Sequence, residues 1–260
     1  MELFNAEKIK GLLKNSLFSK NILIHKSLPS TNDTAKELYK QGAQEGTVVL
    51  AEEQTAGRGR MDRMWVSPPN KNILLSILLK PSLQIERIYT LTLAMAVSVT
   101  EAVKKITGLS AMIKWPNDIY LNKKKLGGIL TEFRAKGLNA DYVILGLGLN
   151  VNWCPGTDAL FPSTCLRSEC GKALSRNELL ALILLQYNEV YENILAGNLE
   201  GLHKKCNDRS IVTGSNVSIN TEGEIIEGTA LGIDIDGALL VKGKDGGVQK
   251  VLNGDVSLRS

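Results

Sequence analysis

A chain of 260 residues, 43% hydrophobic and 22% charged, has the composition of an ordinary globular protein, which excludes disordered and collagen-like classes. Thr90, Thr92, Ser98, Thr100 and Glu101 interrupt its longest apolar candidate, so no run of about 18 apolar residues is left to span a membrane. A net charge of +4, from 31 Lys and Arg against 27 Asp and Glu, permits an anionic partner but does not demand nucleic acid, whose binders usually carry a much denser basic face.

The start Met1-Glu2-Leu3-Phe4-Asn5 has no basic flank leading into an apolar block, so no secretory signal is visible and a cytoplasmic location is expected. Cys154, Cys165, Cys170 and Cys206 form no C-x-x-C pair. Free thiols are therefore expected, with no zinc or redox framework.

In chain order, residues 6–20 predict a helix with Ile9, Leu12, Leu13 and Leu17 on one side, followed by a strand at 21–25. Ser30-Thr31-Asn32-Asp33 has capping-box spacing, with Asp33 where Glu is usual, and opens a helix that Gly42 stops. Strands are expected at 47–51 and at 73–79, the second an almost unbroken apolar run suited to burial on both faces. Apolar residues from Ile88 to Ile106 recur at helical period and predict a helix over 86–106 that ends at Gly108. Strands follow at 111–115, 118–122, 126–133 and 142–151. A helix over 178–195 then has Leu179, Leu182, Ile183, Gln186, Val190 and Ile194 as its inner stripe. From Ile211 onward, short alternating runs lie between turns such as Asp236-Gly237 and Asn253-Gly254. That pattern predicts a small all-β module, residues 211–260, leaning on a domain of residues 1–210.

Three segments carry chemistry. Gln54-Thr55-Ala56-Gly57-Arg58-Gly59-Arg60-Met61-Asp62-Arg63-Met64-Trp65 alternates glycine with arginine between two apolar strands. Glycine lets backbone approach a ligand, Arg offers paired donors for phosphate or carboxylate, and Trp65 can stack on a ring. Ordering six loop residues costs about 6–12 kcal/mol, whereas each charge-assisted bond returns about 1.5–3 kcal/mol. A lid that orders only on its ligand is the expectation. Lys114-Trp115-Pro116-Asn117-Asp118 puts a lysine at an apolar strand end, where burial requires an anion, and two polar side chains after a proline. Those two suit Mg²⁺, a nucleotide or simply a turn. Of Lys123, Lys124 and Lys125 at the next hairpin tip, one next to Gly127-Gly128 can point inward. Gly146-Leu147-Gly148-Leu149-Asn150 ends an apolar strand with alternating bare backbone, with Asn150 as a polar reader. Neither a dinucleotide fingerprint nor a P-loop is present.

Together these segments resemble the biotin protein ligase family. The matching pieces are Ser30-Thr31-Asn32, Gln54 with Ala56-Gly57-Arg58-Gly59-Arg60, and Trp65-x-Ser67-Pro68. Lys114 to Asp118, Lys125-Leu126-Gly127-Gly128-Ile129-Leu130 and Gly146-x-Gly148-x-Asn150 complete the set, in family order over residues 25–152. Ala230-Leu231-Gly232-Ile233-Asp234 and Gly237-Ala238-Leu239-Leu240 resemble the family's C-terminal barrel. The resemblance implies an α+β fold: a mixed β-sheet catalytic domain flanked by helices, class II synthetase-like, with a small C-terminal SH3-like β-barrel.

It also implies a reaction, in which biotin and Mg·ATP give biotinyl-5′-AMP and a lysine of a biotin carboxyl carrier protein domain then takes the biotinyl group. By position, Ser30, Thr31, Asn32, Gln54, Gly57, Arg58, Gly59, Arg60, Lys125, Gly146 and Gly148 would bind biotin. Arg58, Arg60, Trp65, Lys114, Asn117, Asp118 and Asn150 would hold the adenylate, with Lys125, Arg60 and Lys114 catalytic and Asp118 a candidate for the metal.

Two departures stand out. Met61-Asp62 replace a further loop glycine before Arg63, which implies a stiffer loop and faster escape of the adenylate. Only some 24 residues precede the His25 region, fewer than a DNA-binding domain needs, so no transcriptional activity is expected. A related-fold lipoate or octanoate ligase would carry an Arg-Arg-x-Ser-Gly-Gly-Gly type segment, which is lacking. A non-catalytic nucleic-acid or adaptor role would rest on net charge and the β-rich tail alone. An edge strand of the main sheet would serve either a homodimer or the carrier.

Overall fold

The computed structural model describes residues 2–156, 162–221 and 223–259 and contains two β-sheets. The chain opens with helix α1 (Ala6–Leu13), strand β1 (Ile22–His25), helix α2 (Thr31–Lys40) and strands β2 (Val48–Ala51) and β3 (Ile73–Leu79). Helix α3 (Ile88–Thr107) leads into strands β4 (Met112–Lys114), β5 (Asp118–Leu121), β6 (Lys124–Lys136) and β7 (Asn139–Leu149). These seven strands form one mixed sheet in the order β1-β2-β3-β7-β6-β5-β4, parallel only between β1 and β2.

The two faces of this sheet are unlike. The larger core buries Leu75, Ile77, Leu145 and Leu147 with α3 and with helix α5 (Arg176–Leu195). On the other face a smaller cluster joins Ala35 of α2 to Val49, Leu78 and Ile144, with Leu28, Leu38, Tyr39, Ala43 and Tyr142 partly buried around it. Side chains two apart share a face of a strand. Beyond Leu78 and Ile144 that face continues through Ser76 on β3 and through Gly146 and Gly148 on β7. Small residues follow large ones along the same stripe, and the sheet is left hollow beside the start of α2.

Two short helices follow β7 and α5 without having been foreseen: α4 (Leu166–Cys170) and α6 (Glu200–Arg209). The C-terminal sheet is antiparallel, of strands β8 (Asn216–Asn220), β9 (Ile225–Ile233), β10 (Leu239–Lys242), β11 (Val248–Val251) and β12 (Asp255–Leu258), in the order β11-β10-β9-β8-β12. It is tied to the main sheet where the buried Trp115 indole donates to Gly237 O at 3.0 Å and where Arg87 meets Asp236 at 3.4 Å.

Three expectations need correction. The first helix stops at Leu13, because Lys14 turns to φ +45°, and a short 3-10 turn at Leu17–Ser19 takes the place of its second half. On α5 the buried side runs through Leu180, Leu184, Tyr187 and Tyr191, while Gln186 and Val190 lie at its margin. The helix packs against α3 as well as α1, so its apolar face is wider than one stripe. Finally, Cys154 and Cys165 are joined as a disulfide, and only Cys170 and Cys206 are free. Backbone bonds from Thr164 to Lys125 O and from Leu166 to Asn150 O fold residues 162–166 back along β6 and β7. This brings the two Cα atoms to 4.9 Å despite an unremarkable spacing in sequence.

Candidate functional site

The hollow beside α2 is a cavity of about 500 Å³ that gathers segments from both sheets. Its inner end is neutral and polar. Ser30 caps α2 by accepting from Asp33 N, and the Gln54 side chain accepts from Thr31 N at 2.8 Å and from Thr31 Oγ1 at 3.0 Å. Ser76 Oγ lies 2.5 Å from Asn32 Oδ1, and Asn32 Nδ2 donates to Glu132 at 2.7 Å. Thr31, Asn32 and Ser76 are all buried. Gly146 is required here, since a Cβ on it would stand 2.3 Å from Asn32 Oδ1.

One strand step along, about 7 Å, the chemistry changes sign. Gly148 pairs with Gly128, and the Trp65 indole lies against the first of them, 2.4 Å from where a Cβ would sit. The indole Nε1 is buried with no hydrogen-bond partner. Lys125 Nζ stands 3.6 Å from the Cβ position of Gly128 and 2.7 Å from Asp118 Oδ1. Arg58, Arg60, Arg63 and Lys125 line the cavity together with two carboxylates, Asp118 and Asp255, which leaves that end positive.

The arginine loop is a tight hairpin. Trp65 N donates to Gly57 O and Gly59 N to Arg63 O, while Met61 at the tip takes the left-handed conformation, φ +52°. Protein groups hold its guanidiniums. Arg58 pairs with Asp33 through bonds of 2.8 and 2.6 Å, which keep that carboxyl below the usual range. Arg60 donates to Asn117 at 3.1 Å and to Asn253 at 2.5 Å, and Arg63 pairs with Asp255. These protein acceptors offset part of the ordering cost that made a ligand-ordered lid the expectation. The side chain of Asp62, and with it the expected charge cancellation, lies outside the described atoms.

Of the residues expected at the site, Ser30, Thr31, Asn32, Gln54, Arg58, Gly59, Arg60, Trp65, Asn117, Asp118, Lys125, Gly146, Gly148 and Asn150 line the cavity. Gly57 and Lys114 do not. Gly57 stands behind the loop at the base of the hairpin, where a Cβ would meet Trp65 O at 2.6 Å. Lys114 faces Asp118 across β4 and β5 and lies over Tyr120. Burial pulls its ammonium down, with Asp118 opposing, and burial also pushes Tyr120 up to about 12. Asn150 braces more than it reads: its side chain accepts from Asn72 at 3.3 Å and donates to Thr164 O at 3.1 Å.

Sequence reasoning missed Ser76, Trp153 and Asp255. Ser76 reads as one polar interruption in an apolar strand. Asp255 lies more than 190 residues from the arginines it holds. Among the described residues no group of three or more His, Cys, Asp or Glu could hold a metal by itself.

Comparison with known proteins shows what the chain is similar to. Residues 24–150 match the Biotin/lipoate A/B protein ligase family and residues 212–259 the Biotin protein ligase C terminal domain. The chain is 34% identical over 260 residues to the bifunctional ligase/repressor BirA of Bacillus subtilis, covering 98% of this chain and 79% of that one. It is 30% identical over 223 residues to the biotin–[acetyl-CoA-carboxylase] ligase of Paracoccus denitrificans, covering 84% of this chain and 92% of that protein. The structure of the Aquifex aeolicus biotin protein ligase in complex with biotin and ATP superposes with a TM-score of 0.80 at 31% identity, over 92% of this chain and 99% of that one. By sequence and by fold, the chain belongs to the biotin protein ligase family.

Proposed function

We propose that this cavity joins biotin to ATP as biotinyl-5′-AMP, with release of pyrophosphate, and passes the biotinyl group to a lysine of a biotin carboxyl carrier domain. The observation that carries this reading is the change of chemistry along β7. A neutral, buried set of donors and acceptors at Gly146 gives way, one strand step on, to a cationic end at Gly148. Biotin has the same polarity: a ureido ring with N–H and C=O groups, an apolar chain and a carboxylate.

Thr31, Asn32, Gln54 and Ser76 face the ring. Lys125 and Arg60 sit where the carboxylate and the α-phosphate meet, and hold the charge that develops as the C–O–P bridge forms. Trp65 offers its unpaired indole N–H to the adenylate. Lys114 acts at a distance, by keeping Asp118 and Lys125 placed. Mg²⁺ would arrive with ATP; Asp118 and Asp255, with the nucleotide's phosphates, fit the one or two carboxylates such an ion takes, and its contribution is to neutralise phosphate charge.

Lipoate is a poorer fit. A dithiolane ring has no N–H or C=O group to exchange for the hydrogen bonds that Thr31, Asn32, Gln54 and Ser76 make among themselves and with Glu132, and a site built for hydrogen bonds rejects a ligand lacking them by large factors. The test is transfer of labelled biotin to a recombinant carrier domain in the presence of Mg·ATP, with lipoate as competitor. Transfer of biotin only is expected; transfer of lipoate in its place would overturn the reading. A second outcome follows from Gly148: Gly148→Ala pushes Trp65 out of its seat and should weaken binding of biotinyl-5′-AMP by about 10- to 100-fold, from an overpacking cost of about 1–3 kcal/mol. Calorimetric titration reads it, and unchanged affinity would contradict the packing argument.

A further inference from the structure

Behind the arginine hairpin a second groove of about 540 Å³ opens to the surface, sharing Gln54, Met64, Trp65, Val66 and Trp153 with the cavity. The two spaces are chemically opposite. The cavity is lined by four cations and two carboxylates. Among the described residues Glu53 is the one charged residue lining the groove, in a protein whose net charge is +4. Apart from Gln54 the shared rim is apolar, and two of its residues are exposed: Met64 keeps 79% of its surface open and Val66 58%. Trp65 is the partition, its ring against Gly148 on the cavity side.

We infer that this groove seats the acceptor segment of the carrier domain, with the apolar flank of that segment on Met64 and Val66 and the incoming lysine guided by Glu53. The inference rests on the reading that the cavity makes biotinyl-5′-AMP. A lysine ammonium is repelled by the arginine end of the cavity and attracted by a carboxylate at the groove, so charge alone favours arrival from this side. Once there, the ammonium gives one proton to solvent, and the resulting neutral ε-amine attacks the carboxyl carbon of the mixed anhydride. The C–N bond forms, the C–O bond to phosphate breaks, AMP leaves with the electron pair, and the amine's surplus proton passes to solvent.

Glu53 and Thr55 line the groove but not the cavity, and neither belongs to the machinery described above. Three quantities are measured on the full chain: biotin-dependent pyrophosphate exchange, aminolysis of preformed adenylate by methylamine, and KM for a recombinant biotin carboxyl carrier domain. Glu53→Lys, which reverses the charge, and Thr55→Arg, which obstructs the groove, should each raise the carrier KM about tenfold or more, and Glu53→Gln a few-fold, leaving exchange and methylamine aminolysis within about twofold. The carrier KM of the native enzyme should also rise with salt, and that of Glu53→Gln less so, since an exposed ion pair is screened. Carrier KM unmoved in both Glu53→Lys and Thr55→Arg, with exchange intact, would overturn the docking site. Loss of exchange in these variants would also overturn it, by making the groove part of the biotin site. Absence of exchange in the native enzyme would instead remove the adenylation reading on which the inference rests.

Discussion

Lys125→Ala is expected to lower the rate of both half-reactions by about 10²–10³, the loss of about 2.7–4 kcal/mol that removal of one preorganised transition-state donor produces. Lys125 is three-quarters buried, its Nζ held 2.7 Å from Asp118 at the level of Gly128. Its backbone is fixed separately, by Lys125 N donating to Pro162 O at 2.8 Å and Thr164 N to Lys125 O at 2.9 Å. The substitution therefore removes charge from the cavity and leaves the wall standing. It also leaves Asp118 without its 2.7 Å partner. Single-turnover formation of the adenylate and its transfer to a carrier domain separate the two steps. Near-native rates in Lys125→Ala would remove this residue from the chemistry.

Glu52→Ala should cost about 3–5 kcal/mol of stability, the penalty for stranding one member of a buried ion pair. Arg176 and Glu52 have side chains 2% and 5% exposed and meet at 2.7 Å. The pair is knitted into its surroundings: Phe4 N donates to Glu52 at 2.7 Å, the guanidinium lies 4.2 Å over the Phe4 ring, and Arg176 donates to Asn72 O at 3.1 Å. Asn72 in turn holds Val151 N and the Asn150 side chain at the cavity wall. In a chain of this size such a loss lowers Tm by about 6–20 °C, at about 2–4 °C per kcal/mol. Replacing both partners, as Glu52→Leu with Arg176→Met, should be far milder, because no charge is then left unpaired. Urea denaturation reads both variants, and a cost under about 1 kcal/mol for Glu52→Ala would contradict the account of the pair.

Where the physics is local, the sequence was readable. Ser30 capping a helix that begins at Thr31, and the all-buried strand Ile73–Leu79, follow from capping chemistry and an unbroken apolar run. The arginine hairpin and the Gly146 and Gly148 stripe were legible as motifs, since few roles explain bare backbone next to guanidinium groups. Boundaries in β6 and β7 were not. Arg134 to Lys136 and Asn139 are exposed, so they carry no apolar alternation although they pair as a hairpin. Asp255, Ser76 and the Cys154–Cys165 disulfide were hidden for a common reason. Each acts through a neighbour distant in sequence, and a spacing rule has no access to a contact made only by the sheet. Lys114 shows the opposite error: a lysine inside a strong motif stands behind Asp118 and outside the cavity.

The central claim is that one cavity, neutral at Asn32 and cationic at Lys125, makes biotinyl-5′-AMP. Biotin-dependent exchange of labelled pyrophosphate into ATP tests it most directly, because the exchange needs only the first half-reaction and no carrier. Lipoate and octanoate serve as controls at saturating Mg·ATP. Exchange supported by biotin, and by neither control, is the predicted result. Exchange driven by lipoate or octanoate, with no response to biotin, would contradict it.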